Sequence, residues 1–182
     1  MLETDFNSRY EQIREKHTEL IEVKNNSIFS MNGIYNRYKN PILTRDHIPV
    51  VWRYDLNPKT NPFFIERIGF NAVFNAGAIK LDGKYLLIAR VEGNDRKSFF
   101  AVAESPNGID NFQFWDKPIS IPQTEKWDTN VYDMRITQHD DGWLYGIFCT
   151  ERKDPSAPEG DTSTAMAEAG IVRNKDLKVC DR

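Results

Sequence analysis

Two Asp-Gly dipeptides, Asp82-Gly83 and Asp141-Gly142, stand 59 residues apart (82 to 141), each between two runs of strand-forming residues. Asp-Gly between alternating apolar residues predicts a hairpin turn that needs positive φ. Around the first turn the pattern predicts strands over 72–81, 84–91 and 98–104. The turn Ser105-Pro106-Asn107-Gly108 then leads to a short fourth strand over 112–115. Around the second turn it predicts strands over 130–138 and 143–149, a polar insertion over 151–163, and a strand over 165–173. Consecutive antiparallel strands joined by short turns, recurring at a fixed period, are the signature of propeller blades. Two hairpins of a β-sandwich are the alternative, and the same strand order in both units favours the propeller.

The strand that opens the second unit carries a charged pair. Val131, Tyr132, Ile136 and Thr137 are strand formers with no Gly or Pro among them, yet Asp133 and Arg135 lie two apart. Residues i and i+2 of a regular strand share a face, so alternation predicts Val131, Asp133 and Arg135 together on one side. A core strand gives two such positions to a carboxylate and a guanidinium when they are paired or functional. Spacing alone leaves both readings open.

The remainder of the chain bounds the problem. Its 182 residues, 40% hydrophobic and 28% charged, suit one soluble domain or part of a larger one. A net charge of −3 gives no electrostatic footprint for nucleic acid. No apolar run approaches the ~18–20 residues of a membrane span, and Met1-Leu2-Glu3-Thr4-Asp5 lacks the layout of a signal peptide. Cys149 and Cys180 make no disulfide framework, so a cytoplasmic location is expected.

Residues 1–28 are expected to form an N-terminal helical segment. Phe6, Tyr10, Ile13, His17, Leu20 and Ile21 recur at spacings of three and four, a stripe for packing on the same domain or on another subunit. Residues 29–69 read as an irregular lead-in with turns at Asn40-Pro41, Asn57-Pro58 and Asn61-Pro62 and a short strand over 50–54. Arg53, Tyr54 and Asp55 form a polar and aromatic cluster suited to a sugar, or else a salt-bridged loop. Residues 70–182 form the β region.

Several stretches then take on meaning together: Trp52-Arg53-Tyr54-Asp55-Leu56-Asn57, Phe74-Asn75-Ala76-Gly77-Ala78, Arg90-Val91-Glu92-Gly93, Asp95-Arg96-Lys97-Ser98-Phe99-Phe100, Tyr132-Asp133-Met134-Arg135 and Glu151-Arg152. In this order and spacing they resemble the mannoside phosphorylases of glycoside hydrolase family 130. The resemblance implies an all-β, five-bladed β-propeller with its active site in the central channel, about two blades of which are present here. It implies cleavage of a β-mannosidic bond by phosphate, with inversion, to α-mannose 1-phosphate. The substrate would be β-1,4-mannosyl-glucose or a related β-mannoside. Asp133 would be the general acid, its proton reaching the glycosidic oxygen through a mannose hydroxyl, and Arg152 would bind phosphate. Asn75, Arg90, Arg96, Asn130, Arg53 and Asp55 would contact substrate. No metal and no cofactor are implied beyond inorganic phosphate as co-substrate. Family members tend to associate, so a homo-oligomer is expected, with no nucleic-acid or membrane partner.

The chemistry suits these residue types. A general acid must hold its proton at working pH; burial favours this and a neighbouring Arg135 opposes it, so Arg135 has to be engaged elsewhere. A guanidinium fork matches two phosphate oxygens, although a solvated loop charge beside Glu151 and Lys153 is the plainer account of Arg152. Asparagine both donates and accepts, as vicinal hydroxyls require. Family members run to nearly four hundred residues, so the chain is expected to hold an incomplete propeller, the N-terminal part of a longer protein or a truncated one. Two other functions fit the same features: an inverting β-mannoside hydrolase on the same fold, and a non-catalytic carbohydrate-binding module.

Overall fold

The computed structural model describes residues 2–67, 69–124, 128–161 and 165–182. Helix α1 spans Leu2–Glu22. Phe6 is buried, Tyr10, Ile13, His17, Leu20 and Ile21 are half-buried, and the residues between them are exposed. The stripe packs on its own chain. Phe6 meets the Phe64 ring edge-on at 5.0 Å, and Phe64 stacks on Tyr54 at 4.6 Å. Tyr10, Ile13 and Val50 complete this cluster.

The lead-in holds more regular structure than its sequence pattern suggests. Strands β1 (Ser27–Met31) and β2 (Tyr35–Tyr38) pair antiparallel around Asn32 and Gly33, whose φ angles of 46° and 74° are those an Asn-Gly turn supplies. A single 3-10 turn over Arg45–His47 follows. The stretch read as a strand over 50–54 is helical instead: α2 spans Val50–Arg53. Pro49, at φ −51° and ψ 135°, is its N-cap. Trp52 then reaches Phe99 and Phe114, and its indole N–H donates to the Asp116 carbonyl at 2.7 Å. Tertiary contacts outweigh the weak strand preference of the two valines.

From Phe70 the chain is β. Strands β3 (Phe70–Leu81), β4 (Lys84–Gly93), β5 (Ser98–Ser105) and β6 (Gln113–Phe114) form one antiparallel sheet in sequence order. Strands β7 (Asn130–Gln138), β8 (Leu144–Lys153) and β9 (Ala165–Asn174) form a second. Asp82 and Gly83 both have positive φ, 49° and 78°, as the two-residue turn requires. At the second turn only Gly142 does, at 80°, because its loop is longer and closes with the His139 amide donating to the Trp143 carbonyl. Strand β8 runs to Lys153, beyond the expected end at 149, and takes the first part of the polar insertion. Thr162 and Ser163 of that insertion lie outside the described residues. The tail after β9 turns back so that Asp181 bridges antiparallel to Arg173, in the place that Gln113 of β6 takes beside Glu104. The second sheet thus repeats the first in strand order and antiparallel pairing.

The main core lies between the sheets. Leu86, Ile88, Phe100 and Val102 of the first meet Met134, Leu144, Phe148 and Val172 of the second, with Phe100 and Phe148 edge-on at 5.6 Å. A second cluster seals the other face of the first sheet against Ile48, Leu43 and Trp52. The far face of the second sheet is open. Ile147 and Ile171, a cross-strand pair, are 57% and 60% exposed. Their repeat equivalents Ile88 and Val102, also a cross-strand pair, are 0% and 1% exposed.

Strands β3 and β7 touch through backbone. A Cβ on Gly77 would sit 2.5 Å from the Met134 carbonyl oxygen and 3.2 Å from the Arg135 Cα. Neither is a flexible side-chain end, so the strands must separate to admit one. Gly77→Ala is therefore expected to lower stability by about 1–3 kcal/mol, the usual cost of overpacking. The urea unfolding midpoint reads this, and a midpoint unchanged from the parent would show that the strands do not need this approach.

Candidate functional site

Where β7 crosses β3, both strands bulge. Tyr132 pairs with Cys149 and Arg135 with Ile147, which leaves Asp133 and Met134 together opposite Phe148. In β3, Phe74 pairs with Arg90 and Gly77 with Ile88, which leaves Asn75 and Ala76 opposite Ala89. Two residues against one ends the strict alternation of faces. The expectation that Asp133 and Arg135 share a face fails for this reason. Asp133 takes φ +55°, a left-handed conformation that Asp tolerates better than most residues. Met134 drops into the core, fully buried. Arg135 is exposed, its guanidinium donates to the Met134 carbonyl at 3.3 Å, and among the described residues it makes no ion pair with Asp133.

The partners of Asp133 come from the first sheet. Asn75 Nδ2 donates to its Oδ2 at 2.8 Å. Its Oδ1 is buried without a hydrogen-bond partner, and Arg90 Nη1 stands 3.7 Å from it. Arg90 itself is 16% exposed and tightly placed. Its guanidinium lies 4.1 Å from the Tyr132 ring centroid and 5.0 Å from that of Phe74. Nε donates to Ser98 Oγ at 3.0 Å and Nη2 to Glu92 Oε2 at 2.8 Å. Glu92 is buried, accepts from Asn71 Nδ2 at 2.7 Å and pairs with Arg96 at 3.5 Å. The Asn71 hydrogen bond first, and Arg90 after it, hold the Glu92 carboxyl below the usual carboxylate range despite the opposing effect of burial.

Asn130 ties the two sheets together. Its Oδ1 accepts from the Ser98 amide at 2.8 Å, and its Nδ2 donates to the Arg96 carbonyl at 2.9 Å and to Tyr132 Oη at 2.8 Å. Tyr132 in turn donates to Glu151 Oε2 at 2.7 Å. Burial, then this bond to a carboxylate, pushes the phenol up to about 12. Arg96, at φ 65°, has its side chain 78% exposed at the rim.

Three expected site residues sit elsewhere. Arg152 donates through Nε to Asp128 and through Nη2 to Thr124, both at 3.2 Å, and pairs through Nη1 with Glu168 at 2.9 Å. Asp128 also binds both Nη atoms of Arg182 and accepts from Thr150 Oγ1 at 2.6 Å. Burial is the largest single influence on Asp128 and pushes its carboxyl up; the hydrogen bonds from Arg182, Thr150 and Arg152 outweigh it and hold the group low. Arg53 pairs with Glu66 at 2.9 Å. Asp55 caps a turn, accepting from Thr60 Oγ1 at 2.5 Å and from the Asn57 amide at 3.0 Å.

The structure thus gathers Asn75, Arg90, Asn130 and Asp133 around one junction, with Arg96 at its edge. Sequence reasoning missed Glu92, Asn71 and Tyr132 as parts of it. A signal existed: Arg90 and Glu92 are two apart in an unbulged stretch of β4, so the same-face rule applies there. Asn71 and Glu92 also recur as Asn130 and Glu151, 59 residues on.

Among the described residues no group of three or more His, Cys, Asp or Glu side chains is placed to hold a metal ion, and no helix is long and apolar enough to cross a membrane. No family model matches the chain. Its sequence is 59% identical, over 177 residues and 97% of its length, to the 4-O-β-D-mannosyl-D-glucose phosphorylase of Bacteroides fragilis. The chain spans 45% of that enzyme. That relative is an enzyme of glycoside hydrolase family 130, the family whose motifs this chain resembles. Among solved structures, a protein from Bacteroides thetaiotaomicron provisionally described as a glycosidase superposes over 60% of this chain and 31% of its own, at 20% identity and TM-score 0.47. A family 43 β-xylosidase/α-arabinofuranosidase from a compost metagenome superposes over 60% of this chain and 36% of its own, at 18% identity and TM-score 0.39. The all-β assignment rests on the sheets themselves.

Asp128 and Glu92 both have folded-state values below their ordinary ones. Their stabilising effect is complete above the ordinary carboxylate range, about pH 4, and is lost as pH falls through the lower folded values. Urea stability is therefore expected to be flat above about pH 5 and to fall steeply below about pH 4. Asp128→Asn should be less stable at neutral pH and show a shallower fall. Parallel pH–stability curves for parent and variant would contradict this account.

Proposed function

We propose that the protein acts in the phosphorolysis of a β-1,4-mannosyl-glucose or related β-mannoside, with Asp133 as the general acid. The observation that carries the reading is the carboxyl of Asp133: one oxygen is held by Asn75, and the other is buried without a hydrogen-bond partner, 3.7 Å from Arg90 Nη1. No hydrogen-bond donor occupies that oxygen, so it is open to a hydroxyl of the substrate, as a general acid requires. Inorganic phosphate would then attack the anomeric carbon from the opposite face, giving inversion and α-mannose 1-phosphate, with no further cofactor. Asn75 and Arg90 are the substrate contacts best placed for this role. Asn130 and Arg96 would frame the site from the sheet-to-sheet seam. The printed name of the Bacteroides fragilis relative supports both the substrate class and the use of phosphate.

The two sheets would be consecutive blades of a five-bladed ring, a third blade covering Ile147 and Ile171 as the second covers Ile88 and Val102. On this reading the 182 residues by themselves turn over little, because an open ring admits water to the site. The assignment of Arg152 to phosphate rests on resemblance; its three guanidinium nitrogens each have a protein partner. That observation favours one second reading, an inverting hydrolase in which water replaces phosphate.

Incubation of the complete enzyme with β-1,4-mannosyl-glucose separates these readings. Phosphate-dependent release of mannose 1-phosphate is expected; free mannose released without phosphate would establish the hydrolase. Asp133→Asn is expected to lower phosphorolysis by about 10²–10⁴-fold, mainly in kcat. An Asp133→Asn variant within a few-fold of the parent would remove Asp133 as the acid. Arg152→Ala should raise the KM for phosphate; if it lowers only stability, Arg152 belongs to the Asp128 cluster alone.

A further inference from the structure

The placement of Arg90 raises a question that the proposed reaction does not answer. A general acid does not benefit from a cation that stabilises its carboxylate, yet Arg90 Nη1 stands 3.7 Å from the orphaned Oδ1 of Asp133. A guanidinium free to move would close that gap and make a charge-assisted bond of about 2.8 Å. Here it is held back by three restraints. The Tyr132 and Phe74 rings contact its faces. Nε is fixed on Ser98. Nη2 is fixed on Glu92, a carboxylate 8% exposed that is itself anchored by Asn71. Of these restraints Glu92 alone is charged, and it alone competes with Asp133 for the same cation.

We infer that Glu92 is a positioning residue: it holds and neutralises Arg90 so that Asp133 keeps its proton for the leaving sugar. The inference rests on the reading of Asp133 as the general acid and adds the group that sets its charge state. Among the described residues few other groups bear on Asp133. From β3 there is only the neutral Asn75. From β4 there are Arg90 and Glu92, with Arg96 at the turn that follows, paired to Glu92 and largely solvated. On β7 itself Tyr132 stays a neutral phenol to about 12, and Arg135 is exposed. On β8 Glu151 is occupied by Tyr132. Removal of the Glu92 charge therefore leaves Asp133 as the carboxylate with which Arg90 can pair.

Glu92→Gln keeps the shape and the hydrogen-bonding length but not the charge. In the complete enzyme the limb of the pH–rate profile that reports loss of the acid's proton should move to lower pH by about one unit or more, the scale of a new opposite charge within hydrogen-bond range. Glu92→Asp keeps the charge and should hold that limb near the parent's position. In an Arg90→Gln background the Glu92→Gln change should move the limb no further, since its effect passes through Arg90. A limb unmoved in Glu92→Gln, or moved equally in Glu92→Asp, would overturn the proposal and leave Glu92 a structural ion-pair partner. Carboxyl-carbon NMR of Asp133, assigned by its disappearance in Asp133→Asn, follows the same coupling without turnover. If Asp133→Asn retained full activity, the general-acid reading would fail, and the NMR midpoint would still decide whether Glu92 governs Asp133 through Arg90. Should Glu92→Gln not fold, Arg90→Gln measured by NMR decides alone: its midpoint must rise, and a midpoint that stays put refutes the coupling.

Discussion

The site depends on how closely two backbones approach. Strands β3 and β7 meet at Gly77, where there is no room for a Cβ between the Gly77 Cα and the Met134 carbonyl. Two sheets that packed through side chains would keep about 10 Å between them. Contact through backbone at this one edge lets side chains on the strands just before Gly77 and Arg135 meet directly, and the Asn75–Asp133 hydrogen bond spans the gap. The paired bulges follow from the same geometry. Each adds one residue to an inner strand, re-aims it, and frees one polar side chain from the alternation that would otherwise bury it or turn it to solvent. The cost is local: Asp133 adopts a left-handed φ, which the buried Met134 next to it and the flanking ladder hold in place.

Two clusters of buried charge flank this junction, and they differ in how their charges balance. Around Asp128 the fit is complete: two arginines and a threonine converge on one carboxylate, and Arg152 also reaches Glu168. Breaking such a set leaves an uncompensated buried charge, so it resists change. Around Arg90 the fit is incomplete. One carboxylate, Glu92, is at hydrogen-bond distance, and a second, Asp133, is held beyond it. A cation shared unequally between two acids leaves one of them short of a hydrogen bond, whereas a saturated set does not. This contrast distinguishes the junction from the Asp128 cluster more clearly than residue type does, because both clusters are built from the same arginines and carboxylates.

The strands were legible because period-2 patterning and the Asp-Gly turns are local signals that survive in the folded chain; the bounds of β7 match the expected 130–138. The helical stripe was legible for the same reason, down to His17. The failures have physical causes. Alternation breaks at Asp133 because a bulge is a property of a strand pair and leaves no mark in one strand's own residues. The 50–54 stretch reads as a strand from its valines, but the packing of Trp52 on Phe99 and Phe114 decides for a helical turn. Asn32-Gly33 is a strong hairpin signal, but the strands it joins are short and exposed, so they show no alternation of buried and exposed residues. Contacts such as Arg152 with Glu168, or Arg90 with Asp133, bring together residues far apart in the chain or from different sheets, and spacing rules do not reach them.

The open face of the second sheet bears on what the site can do. In the first sheet the inner half of that face holds Arg90 and Glu92, and the second sheet covers it. In the second sheet the equivalent positions hold Cys149 and Glu151, beside the exposed pair Ile147 and Ile171. A cross-strand pair of isoleucines left more than half exposed is a poor terminus for a soluble sheet, since each buried would contribute about 1.5–3 kcal/mol. The repeat supplies the remedy in its own first unit, where an adjoining sheet removes both equivalents from water. On the proposed reading, access of water matters to the chemistry as well. Asp133 is about one-third exposed, so water reaches its carboxyl. A neighbouring sheet over the seam would exclude that water and strengthen every charge interaction around Arg90. On the proposed reading, exclusion of water from the seam between the two sheets, and not the cover of Ile147 and Ile171 itself, is what would strengthen the hold of Arg90 and Glu92 on Asp133.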